Sequence, residues 1–290
     1  MFGKNEIVGK KFFKEAPFQS LFVTSMFMTL QGEGPFRGQP AFFIRLAKCN
    51  LACSFCDTYF DSGDWMTYLE IDALIEKTIA DYFSGDVPEY AQFELGEKCR
   101  EMVLVITGGE PMLQEDLGYF TKLMGGQFRN VQIESNGTLL QEISNHTTLV
   151  VSPKCAEKDG KATKYLKPNN EVLSRASCLK FVMSSDQDSP YSEIPQWAHD
   201  WYNGYEGGAI FISPMNIYNR QPEASKIIRM HKQGEINMDE RSKIDEVISF
   251  WEPGLLDMKA NQRNHEYAAR YCIQWGYTFN MQQHLFASLA

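Results

Sequence analysis

Cys49-Asn50-Leu51-Ala52-Cys53-Ser54-Phe55-Cys56 is the stretch from which the rest of the chain is read. Three thiols fall within eight residues, spaced Cys-x3-Cys-x2-Cys. Thiolates are soft ligands suited to iron–sulfur clusters, zinc or copper(I). A structural zinc site, or a cluster held wholly by protein, takes four ligands. Only three stand here, and the next cysteine, Cys99, lies beyond a long polar stretch. Three thiolates on a four-iron cluster leave one iron open to a small molecule. A disulfide framework is disfavoured, because seven cysteines is an odd number and no secretory signal precedes them. A zinc site completed by a distant Cys or His, and unligated core cysteines, stay open as alternatives.

Outward from this loop, composition sets bounds. A length of 290 residues fits two average domains or one α/β barrel, since such barrels reach roughly 200–250 residues. We expect one domain, 1–290, with insertions at about 82–100 and 216–261. An apolar content of 43% suffices for a sizeable core. No apolar run reaches the length of about 18 residues that a membrane span needs. The segment 1–14 is mixed and basic, without an apolar stretch of the signal-peptide kind, so a cytoplasmic protein with reduced cysteines is expected. A formal charge of −9 disfavours a general nucleic-acid binder, but leaves room for a local basic pocket for an anionic ligand.

Short apolar runs read as strands at 22–30, 41–46, 102–106, 131–133, 149–151, 178–183 and 209–212. Continuous apolarity in so short a run marks a strand buried on both faces. Between them, 69–83 has helical spacing (Ile71, Leu74, Ile75, Ile79, Tyr82, Phe83), and Pro111 suits the first turn of a helix carrying Leu117, Tyr119, Phe120 and Leu123. Further helices are expected near 223–232, 238–251 and 264–275. Alternation of strands and helices implies parallel βαβ units. Six or seven strands are too few for a closed eight-stranded barrel.

Polar groups cluster just after strand ends, where α/β folds place their sites. Gly108-Gly109-Glu110-Pro111 offers unobstructed carbonyls and a carboxylate, which suit an ammonium group; the same turn also serves purely geometric ends. Ser152-Pro153-Lys154 offers a hydroxyl and a cation, and Glu134 and Asn136 sit in a glycine turn; each is weak alone. Arg45 stands among Phe43, Ile44 and Leu46, so its charge must meet a carboxylate, from the protein or from a substrate. Asp57-Thr58, directly after the third thiol, fits hard, oxygen-rich Mg²⁺ or an ordinary surface turn. His284, in the tail that ends at Ala290, earns no role from residues alone.

Together these segments resemble the 7-carboxy-7-deazaguanine synthases, radical S-adenosylmethionine (SAM) enzymes of 7-deazapurine (queuosine-type) biosynthesis. The likeness runs through Phe27-Met28-Thr29-Leu30-Gln31-Gly32-Glu33-Gly34, Pro40-Ala41-Phe42-Phe43-Ile44-Arg45-Leu46, the cysteine loop with Asp57-Thr58, Ile106-Thr107-Gly108-Gly109-Glu110-Pro111, Ser152-Pro153-Lys154 and the tail 282–290. It implies an α/β fold, a partial (β/α)6 barrel of the radical SAM class with helical insertions, usually a homodimer. It implies a lyase that converts 6-carboxy-5,6,7,8-tetrahydropterin to 7-carboxy-7-deazaguanine with loss of ammonia. Cys49, Cys53 and Cys56 would hold a 4Fe-4S cluster, and Thr58 would help hold Mg²⁺. Gly108, Gly109, Glu110, Glu134, Asn136, Ser152, Pro153, Lys154, Ser213, Pro214, Met215 and Asn216 would hold SAM. Leu30, Gln31, Gly32, Glu33, Arg45 and Thr107 would hold the pterin, with His284 and the carboxylate of Ala290 closing over it. An electron donor such as flavodoxin or ferredoxin is implied; no nucleic-acid or membrane partner is. The chain departs from the family at Lys48, where relatives commonly carry Gly. An activase that installs a glycyl radical on a partner protein, and a non-catalytic metal-binding scaffold, are the rival readings.

Overall fold

Pro40–Leu46 (β2) is the strand that delivers the cysteine loop, and its Ala41, Phe42, Ile44 and Leu46 are wholly buried. It pairs antiparallel with Ser20–Leu30 (β1), because the link 31–39 is shorter than the roughly twelve residues a parallel crossover needs. This is a correction to the uniform parallel reading of the strands. The computed structural model describes residues 6–56, 58–83, 99–204, 208–217 and 258–282.

The chain continues through Asp64–Thr67 (β3), Tyr68–Phe83 (α1), Val103–Gly108 (β4), Leu117–Met124 (α2), Asn130–Ser135 (β5) and Thr148–Val151 (β6). A hairpin of Cys155–Lys158 (β7) and Lys161–Tyr165 (β8) follows, then Asn170–Arg175 (α3), Cys178–Met183 (β9), Gln196–Gly204 (α4), Ile210–Pro214 (β10), Met258–Trp275 (α5) and Thr278–Phe279 (β11). The main sheet has nine strands in the order β11-β10-β9-β6-β5-β4-β2-β1-β3. From β2 to β11 every neighbour is parallel. Six of these are full strands and β11 is a two-residue rim, so the sheet is an open, partial (β/α)6 barrel with β1 and β3 as an antiparallel extension.

Packing explains the helices. Ile71, Ile75 and Ile79 of α1 recur every fourth residue and are wholly buried against the sheet. In α2 the buried residues are Leu117, Phe120, Thr121 and Met124, whereas Tyr119 and Leu123 face outward. Pro111 does not open that helix: it opens a separate 3-10 turn, Pro111–Leu113. α5 starts at Met258, earlier than its apolar spacing indicates, because its buried polar residues hold loops. Asn261 bonds both backbone groups of Ile217, and Asn264 bonds Ser185 and the carbonyl of Met215. No helix among the described residues is long and apolar enough to cross a membrane. The helices expected at 223–232 and 238–251, and most of both expected insertions, lie outside the described residues.

Candidate active site

The carboxyl ends of the parallel strands surround a cavity of about 420 Å³. Cys49, Cys53 and Cys56 all line it. The loop that carries them is anchored at its start. Lys48 donates its backbone N–H to Phe60, and the Val8 N–H reaches the Cys49 carbonyl at 2.9 Å. Lys48 has φ +70°, the left-handed region in which glycine costs least. Its ammonium compensates by bonding Glu6 and Asp61, each at 3.2 Å. Further along, the carboxamide of Asn136 donates to Asn50, Asn50 donates to Thr138, and Glu157 accepts the Ser54 N–H.

Burial pushes the Cys49 thiol up to about 12 and the Cys53 thiol up to about 11. None of the seven cysteines is in a disulfide. Cys99, Cys178 and Cys272 belong to apolar core clusters, away from the loop. Among the described residues no three His, Cys, Asp or Glu side chains are set around a single metal ion. The donor set, three soft thiols on one loop at one cavity, fits an iron–sulfur cluster with an open iron.

Gly108 and Gly109 bring β4 against this loop. Gly108 has φ +118°, and a Cβ there would lie 2.2 Å from the Leu46 carbonyl oxygen. A Cβ on Gly109 would lie 1.9 Å from the Lys48 carbonyl oxygen. The N–H groups of Gly109 and Glu110 bond the carbonyls of Leu46 and Lys48, each at 2.9 Å. Gly108 and Gly109 line the cavity; Glu110 does not. Its carboxylate is fully buried and accepts from the Met112 N–H, the Ser135 hydroxyl and the Asn136 N–H. Burial pushes its pKa up, and those three donors oppose the rise. The structure therefore gives Glu110 the task of tying two strand ends together.

The other expected residues divide in the same way. Ser152, Lys154, Glu134, Asn136, Ser213, Pro214 and Asn216 line the cavity, as do Gln31, Glu33, Thr107 and Thr58. Leu30, Gly32, Pro153 and Met215 do not; Met215 packs with Cys155 and Tyr191 instead. His284 and Ala290 lie outside the described residues. The Lys154 ammonium bonds the carbonyl and hydroxyl of Ser152 at 2.8 and 2.6 Å, and burial pulls its pKa down. Arg45, opposite Thr107 in the β2–β4 ladder, is half-buried with its guanidinium 5.1 Å from the Phe27 ring centre. No carboxylate among the described residues pairs with it.

Two features escaped the sequence reading. Phe27 and Phe43 stack at 5.4 Å and form an apolar wall of the cavity beside Arg45. Lys180, on β9, reaches the cavity buried between Glu33 and Glu134. A signal for Lys180 existed: it is the lone cation in the apolar run Cys178-Leu179-Lys180-Phe181-Val182-Met183, the pattern that singled out Arg45.

An open parallel sheet with this thiol loop at its carboxyl edge defines a class, the radical SAM enzymes. No family model matches the chain. Among curated proteins it is 36% identical over 205 residues to the 7-carboxy-7-deazaguanine synthase of Rickettsia prowazekii, covering 70% of this chain and 77% of that one. The enzyme of the same name from Rhodospirillum rubrum is 33% identical over 198 residues, 67% of this chain and 71% of its own. The chain belongs to the 7-carboxy-7-deazaguanine synthase family. Among solved structures, QueE from Escherichia coli is similar in fold, with a TM-score of 0.55 at 21% identity over 96% of this chain and 99% of that one.

Proposed function

We propose that the chain is a 7-carboxy-7-deazaguanine synthase that takes 6-carboxy-5,6,7,8-tetrahydropterin as substrate, contracts its ring and releases ammonia. The observation that carries this reading is the guanidinium of Arg45, which faces the thiol-lined cavity without a protein carboxylate among the described residues. A planar fork of N–H donors binds a substrate carboxylate in bidentate fashion. Phe27 and Phe43 supply an apolar wall that excludes water from a flat ring.

Cys49, Cys53 and Cys56 would hold the 4Fe-4S cluster. Gly108, Gly109, Asn136, Ser152, Lys154, Ser213, Pro214 and Asn216 would hold SAM. Cluster and cofactor together supply one-electron cleavage of SAM, the hard chemistry that no side chain offers. The protein orients the two ligands: the Lys154 cation is fixed by Ser152, and the Asn136 carboxamide is fixed by Asn50. Thr58 would help hold Mg²⁺, whose charge would offset the carboxylate beside it. His284 and the Ala290 carboxylate would close the site. A cytoplasmic homodimer reduced by a flavodoxin or ferredoxin completes the proposal.

The test is anaerobic incubation of iron- and sulfide-reconstituted protein with the carboxypterin, SAM and dithionite. Stoichiometric ammonia and the ring-contracted product are expected. SAM cleavage with neither product would favour the activase, and protein that stays colourless and leaves SAM intact would favour the metal scaffold.

A further inference from the structure

Asn136, just past the end of β5, is 8% exposed, and every hydrogen-bonding position of its carboxamide is in use. Its Oδ1 accepts the Thr138 N–H at 2.9 Å and the Thr138 hydroxyl at 2.6 Å. Its Nδ2 donates one hydrogen to Asn50 Oδ1 at 2.9 Å and directs the other to the Cys49 sulfur at 4.0 Å. Asn50 in turn donates to the Thr138 hydroxyl at 2.8 Å, which closes a ring of three side chains. A backbone N–H can only donate, so the Thr138 N–H fixes which end of the carboxamide carries the oxygen. The NH₂ end therefore faces Cys49, whose sulfur also takes the Leu51 N–H.

The bond to sulfur is the informative one. Two hydrogens and two lone pairs are all that a carboxamide offers. Tying the thiol loop to the turn after β5 needs only the bond to Asn50. The remaining hydrogen meets one of the three thiols of the cavity. A thiol accepts weakly, and an ionised sulfur accepts much better. Hydrogen bonds to its sulfurs are among the levers that set the reduction potential of an iron–sulfur cluster. A donor stabilises the added negative charge of the reduced form more than the oxidised form, so it moves the potential up. At 8% exposure, little water is at hand to replace such a donor.

We infer that Asn136 is a positioning residue for the cluster: its carboxamide, locked by Thr138 and Asn50, donates to the Cys49 sulfur and favours reduction of the cluster. This rests on the reading of Cys49, Cys53 and Cys56 as cluster ligands, and leaves the backbone carbonyl of Asn136 as its contact with SAM. The direct probe is pulsed EPR of dithionite-reduced, cluster-loaded protein whose asparagine side chains carry ¹⁵N. A ¹⁵N coupling to the cluster is expected in the wild type, lost in Asn136→Leu and kept in Asn50→Ala, which leaves the Thr138 N–H lock in place. In a redox titration of the same proteins, the Asn136→Leu midpoint falls by about 28 mV or more, a threefold change in a one-electron equilibrium. The Asn50→Ala midpoint moves less. Loaded wild-type protein without the coupling overturns the inference and leaves the cluster reading standing. An unchanged midpoint in Asn136→Leu, or an equal fall in both variants, gives the ring a packing role alone and also overturns it. Wild-type protein that takes up no cluster overturns the cluster reading and this inference with it. Should Asn136→Leu not load, the coupling in the wild type and its persistence in Asn50→Ala decide the matter.

Discussion

The Glu110 carboxylate accepts the backbone N–H of Asn136 at 2.7 Å, and so ties the turn after β4 to the turn after β5. Three N–H or O–H donors converge on this one fully buried group. Glu110→Gln replaces an acceptor with an NH₂ group that faces donors. A loss of about 1–3 kcal/mol is expected, read from chemical denaturation with unchanged m-value. Wild-type stability would mean that the carboxylate is dispensable to the fold and available to a ligand.

Gly109 is tested by a single methyl group. Its Cβ would meet backbone at 1.9 Å, and backbone cannot move aside as a flexible side chain can. Gly109→Ala should displace the cysteine loop from β4, cost about 1–3 kcal/mol and lower the iron retained after anaerobic reconstitution. Full iron loading would show that the thiols do not depend on this approach.

Much of this could be read from residue order, and the exceptions have physical causes. The runs at 41–46, 102–106, 131–133 and 178–183 are buried on both faces, so apolarity alone revealed them. The β7–β8 hairpin, Cys155–Lys158 with Lys161–Tyr165, has only Lys, Glu, Thr and Ala between its end residues Cys155 and Tyr165 and its Asp159-Gly160 turn, and carries little apolar signal. The thiols, Gly108, Gly109 and Arg45 were legible because their chemistry is scarce in such surroundings. Glu110 was legible as important, but not its hydrogen bonds within the fold. Its partners, Ser135 and the Asn136 N–H, come from another strand, and local sequence says nothing of them.

Lys48 carries a cost that its side chain offsets. A non-glycine residue at φ +70° pays about 1 kcal/mol, while its ammonium bonds Glu6 and Asp61 and lies 5.4 Å from the Phe12 ring centre. Lys48→Ala keeps the strain and loses the contacts; Lys48→Gly loses both. The glycine variant should therefore be the more stable of the two by about 1 kcal/mol, measured by thermal denaturation. The reverse order would show that the left-handed conformation is not strained here.

Arg45 should separate substrate binding from cofactor cleavage. Lysine offers a point charge in place of the fork, so Arg45→Lys should weaken carboxypterin binding about tenfold while uncoupled SAM cleavage continues. Equal loss of both would place Arg45 among the structural residues.

His199 gives the protein an acid-sensitive joint far from the thiols. It is 9% exposed, its ring sits 4.5 Å from that of Trp275, and its Nδ1 meets the Tyr277 hydroxyl. Burial holds its pKa below the ordinary value of 6.5, although Asp200 and Glu193 pull it back in part. The folded state thus favours the neutral ring, and the unfolded chain takes up a proton at higher pH. Stability from this group is complete above about pH 6.5 and declines as pH falls below it towards the folded pKa. His199→Phe keeps the packing and removes the titration, at the expense of a partner for Tyr277. Its denaturation midpoint should start lower at neutral pH yet fall less between about pH 6.5 and 5 than that of the wild type. Parallel curves would assign the acid sensitivity to carboxylates elsewhere.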